Sequence, residues 1–183
     1  MLAAQDHKRI FEHDLGPSTG GMGCYAPPIK LASPAVLAAI KKSILRPTFE
    51  GLRQEGNPFV GMLFTGIMLT KKGPKALEYN ARFDVDMGDK YCAVVIISAA
   101  GYPGSYPKGD RIEMENRHAS GDVLFFHAGT SLEDDGTLVT AGGRVLAVSA
   151  TAETLEQAVR DAYQGVSTVK FEGMHYRTDI AYR

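Results

Sequence analysis

The chain has 183 residues, of which 44% are hydrophobic and 22% charged, and its formal net charge at pH 7 is −1. This length suits one domain or two small ones, and the composition is ordinary for a globular protein with a substantial core. The near-zero charge excludes a global field that draws a protein to nucleic acid or to an anionic membrane, so we expect neither as a partner.

The N-terminal segment, residues 1–6, has no apolar signal core. The longest apolar run, residues 93–100, is far too short to cross a bilayer. Cys24 and Cys92 lie far apart without metal-ligand spacing, which favours a reducing compartment over a disulfide framework. We therefore expect a cytoplasmic protein.

The first predicted helix follows a glycine-punctuated stretch, residues 1–30, that has the composition of a loop. Ser33 is a predicted N-cap and Pro34 suits the first turn. Apolar residues then recur at helical spacing as far as Leu52. Pro47 lies within this pattern and predicts a kink or a break, because proline has no N–H to donate.

Two strands are predicted next, Val60–Thr70 and Lys75–Phe83, joined by a turn at residues 71–74. The spacing favours an antiparallel hairpin. The first strand is apolar on both faces, which is typical of a strand covered on both sides.

The second strand of this hairpin carries the chemistry. Successive side chains in a strand point to opposite faces, so Glu78, Asn80 and Arg82 share one face. A carboxylate and an amide oxygen are hard ligands that suit Mg²⁺, and a neighbouring guanidinium suits phosphate oxygens. The alternative interpretation is an edge strand with a solvated polar face.

The remaining elements lie beyond a short acidic stretch, residues 84–90. Strands are predicted at residues 91–99, 123–127, 143–149, 169–171 and 180–182, and a helix at residues 152–165. Thr154 and Thr151 are both candidate caps of that helix. His127 lies between apolar residues and glycine, so we assign it no catalytic role.

Two N-terminal motifs have binding potential. The segment Gly16–Gly23 holds four glycines and a Ser-Thr pair, and glycine lets backbone N–H groups approach an anion. Residues 6–9 place Lys8 and Arg9, which suit phosphate, beside a carboxylate. A flexible loop and a solvated charge run are the respective alternatives.

Together these motifs resemble a known family. Three stretches resemble, in the same order, the central part of glycinamide ribonucleotide synthetase (phosphoribosylamine–glycine ligase), an ATP-grasp family of purine biosynthesis: residues 5–9, 16–23 and 77–83. Four later stretches resemble the C-terminal part of that family: residues 101–106, 126–130, 142–146 and 176–180. The resemblance covers nearly the whole chain.

The resemblance implies an α+β fold in two parts. Residues 1–90 are expected to form the C-terminal half of an ATP-grasp domain, a partial ATP-grasp fold with an antiparallel sheet and helices. Residues 91–183 are expected to form a small β-rich C-terminal domain. The implied reaction is the ATP-dependent joining of glycine to phosphoribosylamine, with Mg²⁺ or Mn²⁺ bound and ATP as co-substrate.

The family's functional residues carry over position by position. The resemblance implies metal binding by Glu78 and Asn80, and catalytic contacts with phosphate by Arg82, Lys8 and Arg9. It implies substrate or phosphate binding by Asp6, His7, Ser18, Thr19, Gly20, Gly21 and Gly23. The family usually has Asn where this chain has Ser18, and Ser can still donate and accept. The resemblance also implies that Arg144 or Arg177 faces the nucleotide cleft, and a surface ion pair is the alternative for each.

Two departures from the family limit these expectations. The chain begins inside the ATP-grasp region, so the half that supplies the adenine pocket is missing from it. After Phe83 the family continues Gly-Asp-Pro-Glu and a helix, whereas this chain has Asp84-Val85-Asp86, so several dozen residues are expected to be deleted there. Whether Asp84 or Asp86 replaces the lost acidic group stays open.

A second interpretation follows from these departures. The chain alone is expected to lack ligase activity, and the alternative function is that of an incompetent remnant or truncated gene product. Such a product would act at most as a nucleotide- or partner-binding module. In a longer protein, fusion to or association with other purine-pathway enzymes is expected, as in eukaryotic family members.

Overall fold

The computed structural model describes residues 3–60, 62–82, 90–115 and 123–182. Within these ranges no helix is long and apolar enough to cross a membrane. The strands are β1 (Gln5–Asp6), β2 (Arg9–Phe11), β3 (Leu15–Ser18), β4 (Gly23–Ala26), β5 (Met62–Thr70), β6 (Gly73–Arg82), β7 (Tyr91–Ser98), β8 (Glu113–Met114), β9 (Val123–His127), β10 (Thr130–Leu132), β11 (Leu138–Thr140), β12 (Arg144–Ala152) and β13 (Val169–Lys170). The α-helices are α1 (Pro34–Ile40), α2 (Arg46–Gln54) and α3 (Leu155–Val166).

The chain divides into two compact units. The first unit comprises residues 28–86, and the second comprises residues 2–27 together with residues 87–183. The N-terminal stretch belongs to the second unit because β1 and β4 pair in the same sheet as β7. The predicted boundary between residues 90 and 91 concerns the domains of the family and stays a prediction. The two compact units are a different division, because they group residues that contact one another.

The first unit is built from a long helical stretch and a hairpin. Ser33 caps α1, accepting a hydrogen bond from the N–H of Val36 through its Oγ at 3.4 Å, as predicted. The expected disturbance near Pro47 takes the form of a π-helical turn, Lys41–Leu45, directly before α2. A π turn widens the helix where proline cannot donate, so the chain continues as a helix.

The predicted hairpin is confirmed, with β5 and β6 antiparallel. Gly66 lies opposite Glu78, and Ile67 lies opposite Ala76, so Leu77 is the extra residue of a β-bulge. The prediction that β5 is covered on both sides is wrong. Met68 is 50% exposed and Leu69 45% exposed, so the end of β5 next to the turn is not covered on both sides by the described residues.

The second unit contains an antiparallel sheet in the order β1-β4-β7-β12-β9. Helix α3 packs on one face, where Ala158, Ala162 and Val166 are fully buried. A Cβ at Gly165 would lie 2.6 Å from a methyl of Val148, so glycine permits this close approach. The fully buried side chains of the two central strands include Ala93, Val95, Ile97, Val145, Leu146, Val148 and Ala150.

Most predicted elements of this unit are confirmed, including the cap at Thr154, whose Oγ1 accepts from the Gln157 N–H. Two expectations are wrong. Residues 1–30 are not a plain loop, since they contribute four short strands: β1 pairs with β4, β2 pairs with β3, and β4 also pairs with the distant β7. Residues 180–182 form a turn in which Ala181 has a φ of 63°, so no strand is present there. Antiparallel sheets with few helices confirm the α+β class.

Candidate functional site

The candidate metal ligands lie on the bulge-free part of the hairpin. The pairing is regular from Gly66–Glu78 to Met62–Arg82, so strand positions 78, 80 and 82 alternate without interruption. The Glu78 side chain crosses over Gly66, where a Cβ would lie 2.8 Å from its Cγ and 3.3 Å from its Oε1. Glycine at position 66 therefore leaves the space that this carboxylate occupies.

These donors fit a hard divalent cation. Glu78 is exposed and Asn80 is half-buried on the same strand, and a carboxylate with an amide oxygen suits Mg²⁺. Two protein donors leave coordination positions for water and phosphate, which Mg²⁺ sites commonly use. Within the described ranges no group of three His, Cys, Asp or Glu residues is placed to hold a metal. Asp84 and Asp86 lie outside the described residues.

The glycine loop, residues 16–23, belongs to the second unit, and its backbone N–H groups at residues 19–22 are already engaged. The N–H of Thr19 donates to the Lys8 carbonyl, and that of Met22 to the His7 carbonyl. The N–H of Gly21 donates to Thr19 Oγ1, and that of Gly20 to Tyr102 Oη. The loop thus does not present a row of free N–H groups to an anion, contrary to the chemistry expected of it.

Charged side chains surround the tip of this loop instead. Lys8 Nζ lies 2.9 Å from Asp6 Oδ2 in a partly exposed ion pair. A Cβ at Gly21 would lie 2.7 Å from Asp6 Oδ1, and Gly21 has a φ of +115° that favours glycine. Arg144 Nη1 donates to the Gly20 carbonyl at 2.9 Å. The structure thus places Arg144 against the predicted substrate loop, and its predicted position at the nucleotide cleft stays a prediction.

Other predicted residues of this unit have mainly structural contacts. His7 is 3% exposed, and burial together with the charge of Arg177 lowers its pKa below 6.5. This burial counts against the predicted substrate contact of His7. Arg9 Nη1 donates to the Gly16 carbonyl at 2.7 Å. Ser18 ends β3 opposite Arg9 and is exposed.

The buried Arg177 is the centre of an ion cluster that the sequence did not predict. Its side chain is 1% exposed and donates to Asp14 at 2.9 Å and to Asp179 at 2.7 Å. Burial alone would raise the pKa of Asp179, but hydrogen bonds from Arg177 and from the His13 N–H lower it to about 2. Arg177 therefore ties the N-terminal segment to the C-terminal one and does not face a cleft.

The predicted site residues thus form two groups, each within its own unit. Asp6, Lys8 and the glycine loop come together with Arg144 in the second unit, where Tyr102 is an additional contact that sequence reasoning missed. Glu78, Asn80 and the strand position of Arg82 belong to the first unit. Tyr102 lies in the stretch 101–106 that resembles the family, but no pattern in the sequence indicated its contact with Gly20.

Comparison with known proteins identifies both parts of the chain. Residues 1–88 match the family model for the phosphoribosylglycinamide synthetase ATP-grasp (A) domain. Residues 92–183, half of the chain, match the model for the phosphoribosylglycinamide synthetase C domain.

Individual relatives agree with this assignment. A bifunctional purine biosynthetic protein of Schizosaccharomyces pombe is 46% identical over 98% of the chain and 26% of its own length. A phosphoribosylamine–glycine ligase of Caulobacter vibrioides is 41% identical over 99% of the chain and 50% of its own length. The crystal structure of the Thermotoga maritima ligase superposes with a TM-score of 0.81 at 33% identity, covering 97% of the chain and 50% of that structure.

The chain spans about half the length of these bacterial relatives and about a quarter of the fungal one. The alignment with a human trifunctional purine biosynthetic protein extends over 219 residues and covers all 183 residues of the chain. At least about three dozen aligned positions of that relative therefore have no counterpart here. This agrees in size with the expected deletion, whose position after Phe83 stays a prediction.

Proposed function

The chain belongs to the phosphoribosylglycinamide synthetase family, and from this premise we propose that it provides part of the machinery that joins glycine to phosphoribosylamine at the expense of ATP. The main support is the order of the two matched domains, ATP-grasp (A) at residues 1–88 and C at residues 92–183. The product would be glycinamide ribonucleotide, in the cytoplasm, on the route to purines. ATP, glycine and phosphoribosylamine are the proposed substrates.

The hairpin residues would act on the phosphates. Glu78 and Asn80 would hold Mg²⁺ or Mn²⁺, which when bound neutralises charge that develops in phosphoryl transfer. Gly66 gives the Glu78 carboxylate its space, so this ligand keeps a defined place on the strand. Arg82 would contact the transferring phosphate, two positions further along the same ladder.

The second unit would bind the acceptor substrate. Lys8 and Arg9 carry cations beside the glycine loop, and the backbone contacts of Arg9 and Thr19 hold this segment in shape. Little covalent chemistry is required of the protein in such a reaction, because positioning and electrostatic stabilisation carry the catalysis.

The test is a pair of chimeras of the Caulobacter ligase, whose aligned half is replaced by this chain. One chimera carries the chain as it is, and the other, the restored chimera, also receives the family segment expected after Phe83. We expect the restored chimera to form glycinamide ribonucleotide with ATP at a rate within tenfold of the parent ligase. A folded but inactive restored chimera would contradict the proposal.

A second candidate function is a binding module without catalysis. It is favoured by the roughly three dozen aligned positions that the chain lacks. The direct chimera separates the two candidates. If only the restored chimera is active, the missing segment is needed for turnover, and the chain as it stands retains binding at most.

The relatives named bifunctional and trifunctional also suggest the context of this chain. We propose that it works as a segment of a longer polypeptide that carries further purine biosynthetic activities. Long-read sequencing of the transcripts that contain this segment would show whether its coding sequence is fused to that of a further enzyme.

A further inference from the structure

The tip of the glycine loop is held at both backbone groups of Gly20 by side chains far away in sequence. The N–H of Gly20 donates to Tyr102 Oη at 3.3 Å, and its carbonyl accepts from Arg144 Nη1 at 2.9 Å. The two partners lie 82 and 124 residues further along the chain. Two such hydrogen bonds fix the orientation of the peptide groups on either side of Gly20.

Close packing around glycine supports this arrangement. A Cβ at Gly20 would lie 2.8 Å from the central carbon of the Arg144 guanidinium, so a side chain there would displace the arginine. A Cβ at Gly143 would lie 2.3 Å from the ring of Tyr102, so the tyrosine is seated on bare backbone. The positions of Tyr102 and Arg144 are thus both set by glycines.

Arg144 is an exposed cation at the tip of the loop whose charge is not compensated by a carboxylate among the described residues. Lys8 is paired with Asp6, whereas Arg144 has no carboxylate partner among the described residues and uses a single nitrogen to bind Gly20. Its remaining N–H groups stay available on an exposed side chain. A guanidinium held at one nitrogen presents the rest of its planar fork in a fixed direction, which suits a phosphate.

We propose that Arg144 binds the phosphate of the sugar-phosphate substrate and that Tyr102 is a positioning residue that orients Arg144 through Gly20. This inference rests on the proposed function and names the side chain that binds the substrate's phosphate group. The loop's own N–H groups at residues 19–22 are engaged within the protein, so the side chain of Arg144 supplies the donors that the loop does not.

The test uses the restored chimera and ribose 5-phosphate as the probe, with ribose as the control that lacks phosphate. Calorimetry on Arg144→Gln is expected to show at least a tenfold weaker affinity for ribose 5-phosphate, because a charge-assisted hydrogen bond is lost. Arg144→Lys should fall between the two, since it keeps the charge but not the fork. Unchanged affinity in Arg144→Gln overturns the proposal.

Tyr102 has a matched control in Tyr106, whose ring lies 6.3 Å away and also packs on Gly143. Tyr102→Phe removes only the hydroxyl that accepts from Gly20, and we expect affinity for ribose 5-phosphate to fall by about 3- to 10-fold. Tyr106→Phe should leave it within twofold. If both variants behave alike, the positioning role of Tyr102 is refuted.

Turnover measurements distinguish this inference from the proposed function. In an active chimera, Arg144→Gln and Tyr102→Phe should raise the KM for phosphoribosylamine while the KM for ATP changes by less than twofold. A chimera that binds ribose 5-phosphate through Arg144 but forms no product refutes the function and keeps the phosphate site. A chimera with full activity and an Arg144-independent KM refutes the phosphate site and keeps the function.

Discussion

The two compact units differ in what they bury. The second unit has a continuous core of fifteen buried apolar residues, eleven of which belong to β7, β12 and α3. In the first unit, Ile44 at 8% exposure is the one buried hydrophobic residue within the described residues 28–60 and 63–80. Both units expose large apolar side chains, so the difference lies in the core and not in surface polarity.

The difference follows from the number of layers. The sheet of the second unit has a helix on one face, and helix and sheet bury each other's apolar stripes. The first unit has a hairpin and one helical stretch, and a two-stranded hairpin alone is marginally stable. The roughly three dozen aligned positions without a counterpart are predicted to follow Phe83, where they would supply a covering element to the first unit.

The largest expected effect is on ligase activity, and its absence would contradict the difference drawn between the two units. A purified polypeptide of these 183 residues alone should show no detectable formation of glycinamide ribonucleotide from ATP, glycine and phosphoribosylamine. Correct positioning supplies roughly 7–11 kcal/mol of barrier reduction, and we do not expect the first unit, with one buried hydrophobic residue among those described, to provide it. The restored chimera, with the same site residues, is the control.

Turnover of the 183-residue polypeptide within tenfold of the Caulobacter ligase would refute this expectation. It would mean that the first unit holds nucleotide without another layer, for instance across an interface between two copies.

The next effect tests the hairpin ligand. In the restored chimera, Glu78→Gln should lower kcat/KM by about 100-fold, because a metal ion in such a site is worth several kcal/mol of transition-state stabilisation. The Mg²⁺ concentration for half-maximal rate should rise as well. The exposed Glu133 lies in the second unit, and Glu133→Gln should change neither quantity. Equal metal dependence in both variants would exclude Glu78 as a ligand.

The third prediction concerns the buried ion cluster. Arg177→Met should lower the free energy of unfolding of the second unit by about 3 kcal/mol, because it leaves two carboxylates without their cation. The value lies at the low end since Asp14 stays 38% exposed and can be hydrated. Urea denaturation followed by circular dichroism measures it, with the exposed Arg160→Met on α3 as control. Equal stability of both variants would show that the cluster contributes nothing.

Sequence reasoning succeeded where the determinants are local. The Ser33 and Thr154 caps, the hairpin around residues 71–72 and strand β7 follow from short-range patterns. It failed where a segment depends on distant partners. Within residues 5–26, β4 pairs with β7 and the Arg9 carbonyl of β2 accepts from Arg177, and no local periodicity indicates either contact.

The candidate site shows the same division. Alternation along β6 placed Glu78 and Asn80 on one face, and the register agrees with that placement. The contacts of Gly20 with Tyr102 and Arg144 join segments about 80 and 120 residues apart, so composition of the loop alone could not reveal them. The glycines of the loop were predicted to bring backbone N–H donors close to an anion, whereas in the structure they permit close packing of Asp6 and Arg144.

The fourth prediction is a pH dependence of the second unit. The pKa of Asp179 is about 2 in the folded state against 3.8 as its ordinary value. The unfolded state therefore takes up the proton first as pH falls, so this stabilisation is present above about pH 4 and is lost between about pH 4 and 2. Its size is about 2 kcal/mol.

Urea denaturation at several pH values measures the effect, with Asp179→Asn as the comparison. The difference in free energy of unfolding between parent and variant should shrink as pH falls through this window. A difference that stays constant from pH 5 to pH 2.5 would contradict the assignment to Asp179.

The smallest expected effect contrasts one exposed and one buried apolar residue across the two units. Leu77 in the first unit is 57% exposed, and Leu77→Thr should change the free energy of unfolding by less than about 0.5 kcal/mol. Val148 in the second unit is fully buried, and Val148→Thr should cost about 1–3 kcal/mol because its hydroxyl enters an apolar core. Unfolding monitored in urea gives both values.

For self-association we expect Leu77→Thr to have the larger effect and Val148→Thr the smaller one. Leu77, Leu69 and Met68 leave apolar surface on the first unit, which favours self-association. Leu77→Thr should therefore reduce the concentration-dependent increase in apparent mass seen by sedimentation velocity, whereas Val148→Thr should not. If Leu77→Thr lowers the free energy of unfolding as much as Val148→Thr does, the first unit has a core that encloses position 77. The stated difference in burial between the two units would then be wrong.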